Sequence, residues 1–131
     1  MADAKVMLAL SIRQPYAELI LRGEKTIEYR SRRTKLIGQR FYIYASQKWA
    51  IGNGHPRKSA IAVPALADLE RWPGADCRVS ALHTGVIVGS AVISSCTAEN
   101  GHYCWHLSDV RRYKRPRKVK RQPQPVWFVP W

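Results

Sequence analysis

Apolar and polar positions alternate in several short runs along this chain, and the breaks between runs fall at proline, glycine and asparagine. Val6 to Ser11 is an apolar run that reads as a first strand and turns at Gln14-Pro15. A short helix is expected from Pro15, because proline at the first helical position lacks only an N–H that would be unpaired there. Tyr16, Leu19 and Ile20 fall at i, i+3 and i+4 and make one apolar stripe. Gly23, just after Arg22, stops the helix. Thr26 to Arg30 alternates as a second strand, with Thr26, Glu28 and Arg30 on one face and Ile27 and Tyr29 on the other. Lys25, Glu28 and Arg30 are thereby set close together, near the turn at Arg13-Gln14.

Ser31 to Lys35 reads as a basic loop leading to a turn at Gly38, and Arg40 to Ser46 as a strand. On that strand Phe41, Ile43 and Ala45 point one way and Arg40, Tyr42, Tyr44 and Ser46 the other. The two tyrosines beside an arginine are either a stacking platform for bases or core packing. Gln47 to Ser59, with Gly52, Gly54 and Pro56, reads as a loop, with one helical turn expected near Lys48-Trp49-Ala50. Pro64 to Arg71 reads as a helix ended by Trp72-Pro73-Gly74. Gly85 to Thr97 is the longest β signal, apolar or small on both faces as a central strand requires, with Gly89 marking a close approach or a bulge. Asn100-Gly101 is a hairpin turn and Tyr103 to Leu107 the returning strand. Val126 to Val129 reads as a closing strand.

Composition narrows the partners. The chain has 131 residues, enough for one domain, 1–131, with its own core and a frayed lead at 1–5. With 22 Lys+Arg against 9 Asp+Glu the formal charge is +13, which favours polyanions over a plain protein-interaction role, although a solubilising coat has the same composition. The densest charge is Arg111 to Arg121, eight cations in eleven residues, read as a tethered basic loop between two strands rather than a floppy arm. Arg32, Arg33, Arg115, Arg117, Lys118 and Lys120 are the expected phosphate contacts. No run approaches the roughly twenty apolar residues of a membrane span, and no leader precedes the first strand, so a cytoplasmic monomer without membrane contact is expected. Cys77, Cys96 and Cys104 are an odd count with no close pair, which argues against a disulfide framework.

Three constellations carry possible chemistry. A buried lysine beside a carboxylate, as Lys25 beside Glu28, can act as nucleophile or acid with the carboxylate as base; the same residues can also be an ion pair that fixes a strand end. His102, Cys104 and His106 share a strand face with metal-capable ligands, and Cys96 is near. They span about 13 Å at strand rise, too far for one tetrahedral ion, so no metal and no cofactor is expected. Trp105 can wall a pocket floored by Arg13, Gln14, Pro15 and Tyr16, stacking on a base while the amide reads its edge, or can be plain core.

Ser11-Ile12-Arg13-Gln14-Pro15-Tyr16-Ala17, then Gly23-Glu24-Lys25-Thr26-Ile27-Glu28-Tyr29-Arg30, then Gly38 to Ser46, resemble the ASCH domain, a branch of the PUA-like superfamily of RNA-associated β-barrels. The specific part is Gly-x-Lys-x-x-Glu-x-Arg; the likeness is strong over 8–46 and resumes near Trp105 and Trp127. The resemblance implies an α+β, PUA-like mixed barrel of five to six strands with two or three short helices. It further implies an RNA- or nucleotide-binding cleft between the Gln14-Pro15 turn, the lysine strand and Trp105, taking RNA or a nucleoside-like molecule through Arg13, Gln14, Pro15, Tyr16, Lys25, Glu28, Arg30 and Trp105. A small bacterial member that removes the acyl group of N4-acetylcytidine uses the lysine matched by Lys25, a threonine three residues on and a more distal glutamate. Here position 28 is Glu28 and Glu99 is the nearest distal candidate. An amidohydrolase, or a metal-independent ribonuclease, is therefore the alternative expectation.

Overall fold

The computed structural model describes residues 6–49, 82–121, 123–124 and 126–131. These residues form one six-stranded sheet: β1 (Ala9–Gln14), β2 (Ile27–Arg30), β3 (Arg40–Trp49), β4 (Val86–Glu99), β5 (His102–Lys118) and β6 (Trp127–Phe128), in the order β2-β5-β4-β3-β1-β6. One helix, α1 (Tyr16–Leu21), follows β1. Only β1 and β3 run parallel, because α1 and β2 lie between them in sequence and supply the crossover; every other pair is antiparallel.

The sheet curls on itself into a half-barrel. Contacts between strands far apart in the ladder draw it round: Trp105 of β5 stacks on Trp127 of β6, rings 5.7 Å apart and 4° from parallel, and the Arg30 guanidinium of β2 donates to the Ser11 carbonyl of β1 at 3.0 Å. Inside the curl lie Leu10, Ile12, Ala17, Ile20, Phe41, Ile43, Ala45, Val88, Ala91, Ile93, Trp105 and Leu107. Their burial is the main driving force, at about 25 cal/mol per Å² of apolar surface. The expected mixed barrel of five to six strands is what the chain forms. Of the two or three helices expected, one falls among the described residues; the Pro64–Arg71 helix, residues 50–59 of the expected loop and the 1–5 lead lie outside them.

Several boundaries move, each because a partner strand reaches further than local alternation suggests. β1 is Ala9–Gln14 rather than 6–11, since β3 offers partners as far as Trp49, opposite Gln14. For the same reason β3 continues through Gln47 and Lys48 to Trp49, where a loop with one helical turn near Lys48-Trp49-Ala50 was expected. The larger correction concerns the basic run: residues 111–118 are not a loop between strands but the second half of β5, pairing with β4 at Ser90, Gly89, Ile87 and Val86. Extended backbone lets adjacent cations point apart into solvent, which relieves their repulsion. Between Gly89↔Arg112 and Ile87↔Arg117 the ladder accommodates four residues, Tyr113 to Pro116, against Val88 alone. Pro116 has no N–H to give a ladder, so it falls in this bulge. The hairpin at Asn100 and Gly101 has both residues at positive φ, 46° and 84°, as a two-residue turn of the primed type requires.

Candidate functional site

Lys25, Glu28 and Arg30 meet as their spacing predicts. Arg30 directs two nitrogens to the same carboxylate oxygen of Glu28, Nε at 2.8 Å and Nη2 at 2.6 Å. The other oxygen, Oε1, is left facing Lys25 Nζ at 3.7 Å. The ammonium donates to the Ile27 carbonyl at 2.5 Å and lies over two aromatic rings, Tyr16 at 5.2 Å and Tyr29 at 5.0 Å. Both charged side chains are 10% exposed. Burial holds the Lys25 ammonium below the ordinary lysine range; the Glu28 carboxylate works against this shift and the Arg30 charge with it. The result is a donor and an acceptor side by side, sheltered by tyrosines and fixed by a guanidinium.

The turn beneath is rigid for a reason that spacing did not reveal. Gln14 is buried and both ends of its amide are engaged: Oε1 accepts from the Glu18 N–H at 3.0 Å and Nε2 donates to the His83 carbonyl at 2.9 Å. It holds α1 against β1, which corrects the expectation that its amide reads a base edge. Pro15 is buried beside it, and Arg13 is exposed. Trp105 is also corrected. It is 1% exposed, with Trp127 stacked on its ring, the Arg30 guanidinium 5.7 Å from its centroid and Nε1 donating to the Arg32 carbonyl at 3.0 Å. In this arrangement it is part of the core and offers no face to a base. Tyr16 is partly buried, its ring against Lys25, and its hydroxyl is shielded with no hydrogen-bond partner among the described residues.

A second charged group was missed. Glu18, buried on α1, accepts two bonds from Arg112 of β5, at 3.0 and 2.8 Å, and one from Arg22 at 2.5 Å. The Glu18/Arg22 spacing of four was a legible signal; its partner on β5 was not. The remaining cations are distributed over the surface. Arg32, Arg33, Arg115, Arg117, Lys118 and Lys120 are all exposed, with Arg33 over the Tyr103 ring at 5.1 Å. His102, Cys104 and His106 each have a separate partner: His102 packs on Tyr29, Cys104 donates to Glu99 at 3.3 Å, and His106 pairs with Thr97 at 2.8 Å. No metal-binding group of three such side chains forms among the described residues. Of the two tyrosines on β3, Tyr44 is core and Tyr42 half-buried.

A curled mixed sheet with a helix at one end and a Gly-x-Lys-x-x-Glu-x-Arg cluster at its mouth defines a PUA-like domain. The sequence matches the ASCH domain over residues 10–124, and the chain belongs to that family. No curated protein sequence matches it. No helix among the described residues is long and apolar enough to cross a membrane.

Proposed function

We propose that the protein binds RNA, or a nucleoside-like molecule, taking an unstacked base at the Lys25 cluster while surface cations hold phosphates. The observation that carries this reading is the pairing of Lys25 Nζ with Glu28 Oε1 at 3.7 Å, the second carboxylate oxygen being occupied by Arg30. A donor next to an acceptor matches a base edge on which a carbonyl adjoins an N–H, and the low dielectric strengthens both bonds. Tyr16 and Tyr29 supply the apolar walls, and Arg13 stands exposed on the adjoining strand end. Arg32, Arg33, Arg115, Arg117, Lys118 and Lys120 supply the phosphate contacts. Lys25→Ala is expected to weaken nucleotide affinity by roughly 1.5–3 kcal/mol, the value of a charge-assisted hydrogen bond, with little change in Tm. A large loss of stability with unaltered binding would instead make Lys25 and Glu28 a structural ion pair.

A second reading, hydrolysis of an N-acylated cytidine or of RNA, is favoured by one feature: Lys25 is held below its ordinary value by burial, which makes its amine available nearer neutral pH. Incubation with N4-acetylcytidine, and separately with labelled RNA, tests it. Turnover that disappears in Lys25→Ala supports the enzyme; salt-dependent binding without turnover supports the first reading.

A further inference from the structure

The sheet face turned away from the main core carries an aromatic cluster that the Lys25 site does not use. Ala9, Tyr44, Ile87 and Phe128 form its buried floor, with Tyr42, Tyr113, Val119 and Trp131 half-buried over them. Tyr42 meets Trp131 at 5.0 Å and Tyr113 at 6.4 Å, both edge-on, and the Arg117 guanidinium lies 3.9 Å over the Trp131 ring. Arg117 pairs in register with Ile87, which places it on this face. The four-residue bulge that begins at Tyr113 puts Lys114 and Arg115 next to the rings in sequence and clear of the ladder.

The surrounding charge sets this patch apart from an ordinary minor core. On β5, Arg111 pairs with Asp109 and Arg112 with Glu18. Among the described residues, Lys114, Arg115, Arg117, Lys118, Lys120 and Arg121 have no carboxylate partner. Uncompensated cations around partly exposed rings complement a ligand that is anionic along its length and carries flat apolar groups.

We propose that this outer face binds single-stranded nucleic acid, its bases stacking on the Tyr42, Tyr113 and Trp131 cluster and the Arg117 guanidinium while the neighbouring cations of β5 hold the phosphates. The proposal rests on the nucleic-acid reading above and adds to it a second contact surface and a strand preference. A duplex can satisfy the cations, but its bases are already stacked on one another and have no free face for the rings.

The test compares a short labelled oligouridylate with an abasic strand and with a duplex of the same length, on the whole protein at fixed salt. The oligouridylate is expected to bind tighter than either by roughly 5- to 150-fold per stacked base. In a Lys25→Ala background, where the proposed cleft contact is removed, part of the preference should remain, and adding Tyr113→Leu or Trp131→Leu should bring the oligouridylate down to the abasic strand; melting curves establish that each variant is folded. Where Trp131→Leu does not fold, Tyr113→Leu in the Lys25→Ala background decides by itself. Equal affinity for abasic and base-bearing strands overturns the proposal and the base contact at the Lys25 cluster alike, leaving only the phosphate contacts of the surface cations. A ratio abolished in Lys25→Ala but kept in Tyr113→Leu moves the stacking to the cleft and overturns it too. Absence of binding to any strand overturns both readings.

Discussion

Lys25 and Glu18 are two partly buried charges whose environments push stability in opposite directions with pH. Burial lowers the Lys25 value, so in the window between that lowered value and the ordinary 10.5 the unfolded chain holds a proton that the folded protein has released. Stability from this group therefore rises with pH across that window. Denaturant midpoints measured along an alkaline series should show the native protein gaining on Lys25→Met, which lacks the group. For Glu18, desolvation alone would raise the carboxyl, but hydrogen bonds and charge from Arg112 and Arg22 outweigh it and hold the group below 4.5. Its contribution is in place above that value and is lost as pH falls through the lowered folded one. Glu18→Gln is expected to cost about 1–3 kcal/mol at neutral pH and to flatten the acid limb of a stability–pH curve. The cost stays at the modest end because Arg112 is 49% exposed and water screens its charge.

At the scale of the element, β4 and α1 are locked by one missing side chain. A Cβ on Gly89 would lie 2.7 Å from Leu21 Cδ2 at the end of α1 and would run into the Arg111 carbonyl of β5. One of these obstacles is backbone and cannot turn aside. Gly89→Ala is expected to cost about 3 kcal/mol or more, the upper part of the range for overpacking, and thermal melting would show it. The bulges in β5 follow the same logic of local fit. Asp109, at φ 45°, interrupts the pairing between Ser90 and Val92, and Arg40 secures that step by donating to the Asp109 carbonyl at 3.0 Å and to Ser90 Oγ at 2.9 Å. Each irregularity re-aims the strand beyond it, which lets so long a strand follow the curl.

At the scale of the whole molecule, a formal charge of +13 makes the proposed nucleic-acid binding depend on ionic strength. Replacing Arg115, Arg117, Lys118 and Lys120 together by Gln should flatten the slope of log affinity against log salt by about one unit for each phosphate that is no longer neutralised. The base preference proposed for the Lys25 cluster should persist in that variant, since the charges around Lys25 are those of Glu28 and Arg30. An unchanged slope would show that this end of β5 lies away from the interface.

What the sequence determined by itself is local. The alternation of short runs specifies strands, the Asn100-Gly101 pair specifies a hairpin, and the spacing within Lys25 to Arg30 brings three charged side chains together, because a strand's two-residue period needs no distant partner. The family was legible for the same reason, its motif being contiguous. Only the tertiary structure decided which of the remaining candidates face solvent. Trp105 is withdrawn from base stacking by Trp127, and Gln14 by His83 and the backbone of Glu18, through contacts that exist only once the sheet has curled. The Arg111–Arg121 run looks like a loop from charge alone, yet its first part is a strand because β4 presents an unpaired edge that those backbone groups must satisfy. Periodicity encodes a residue's face; burial and pairing depend on which surface arrives opposite it.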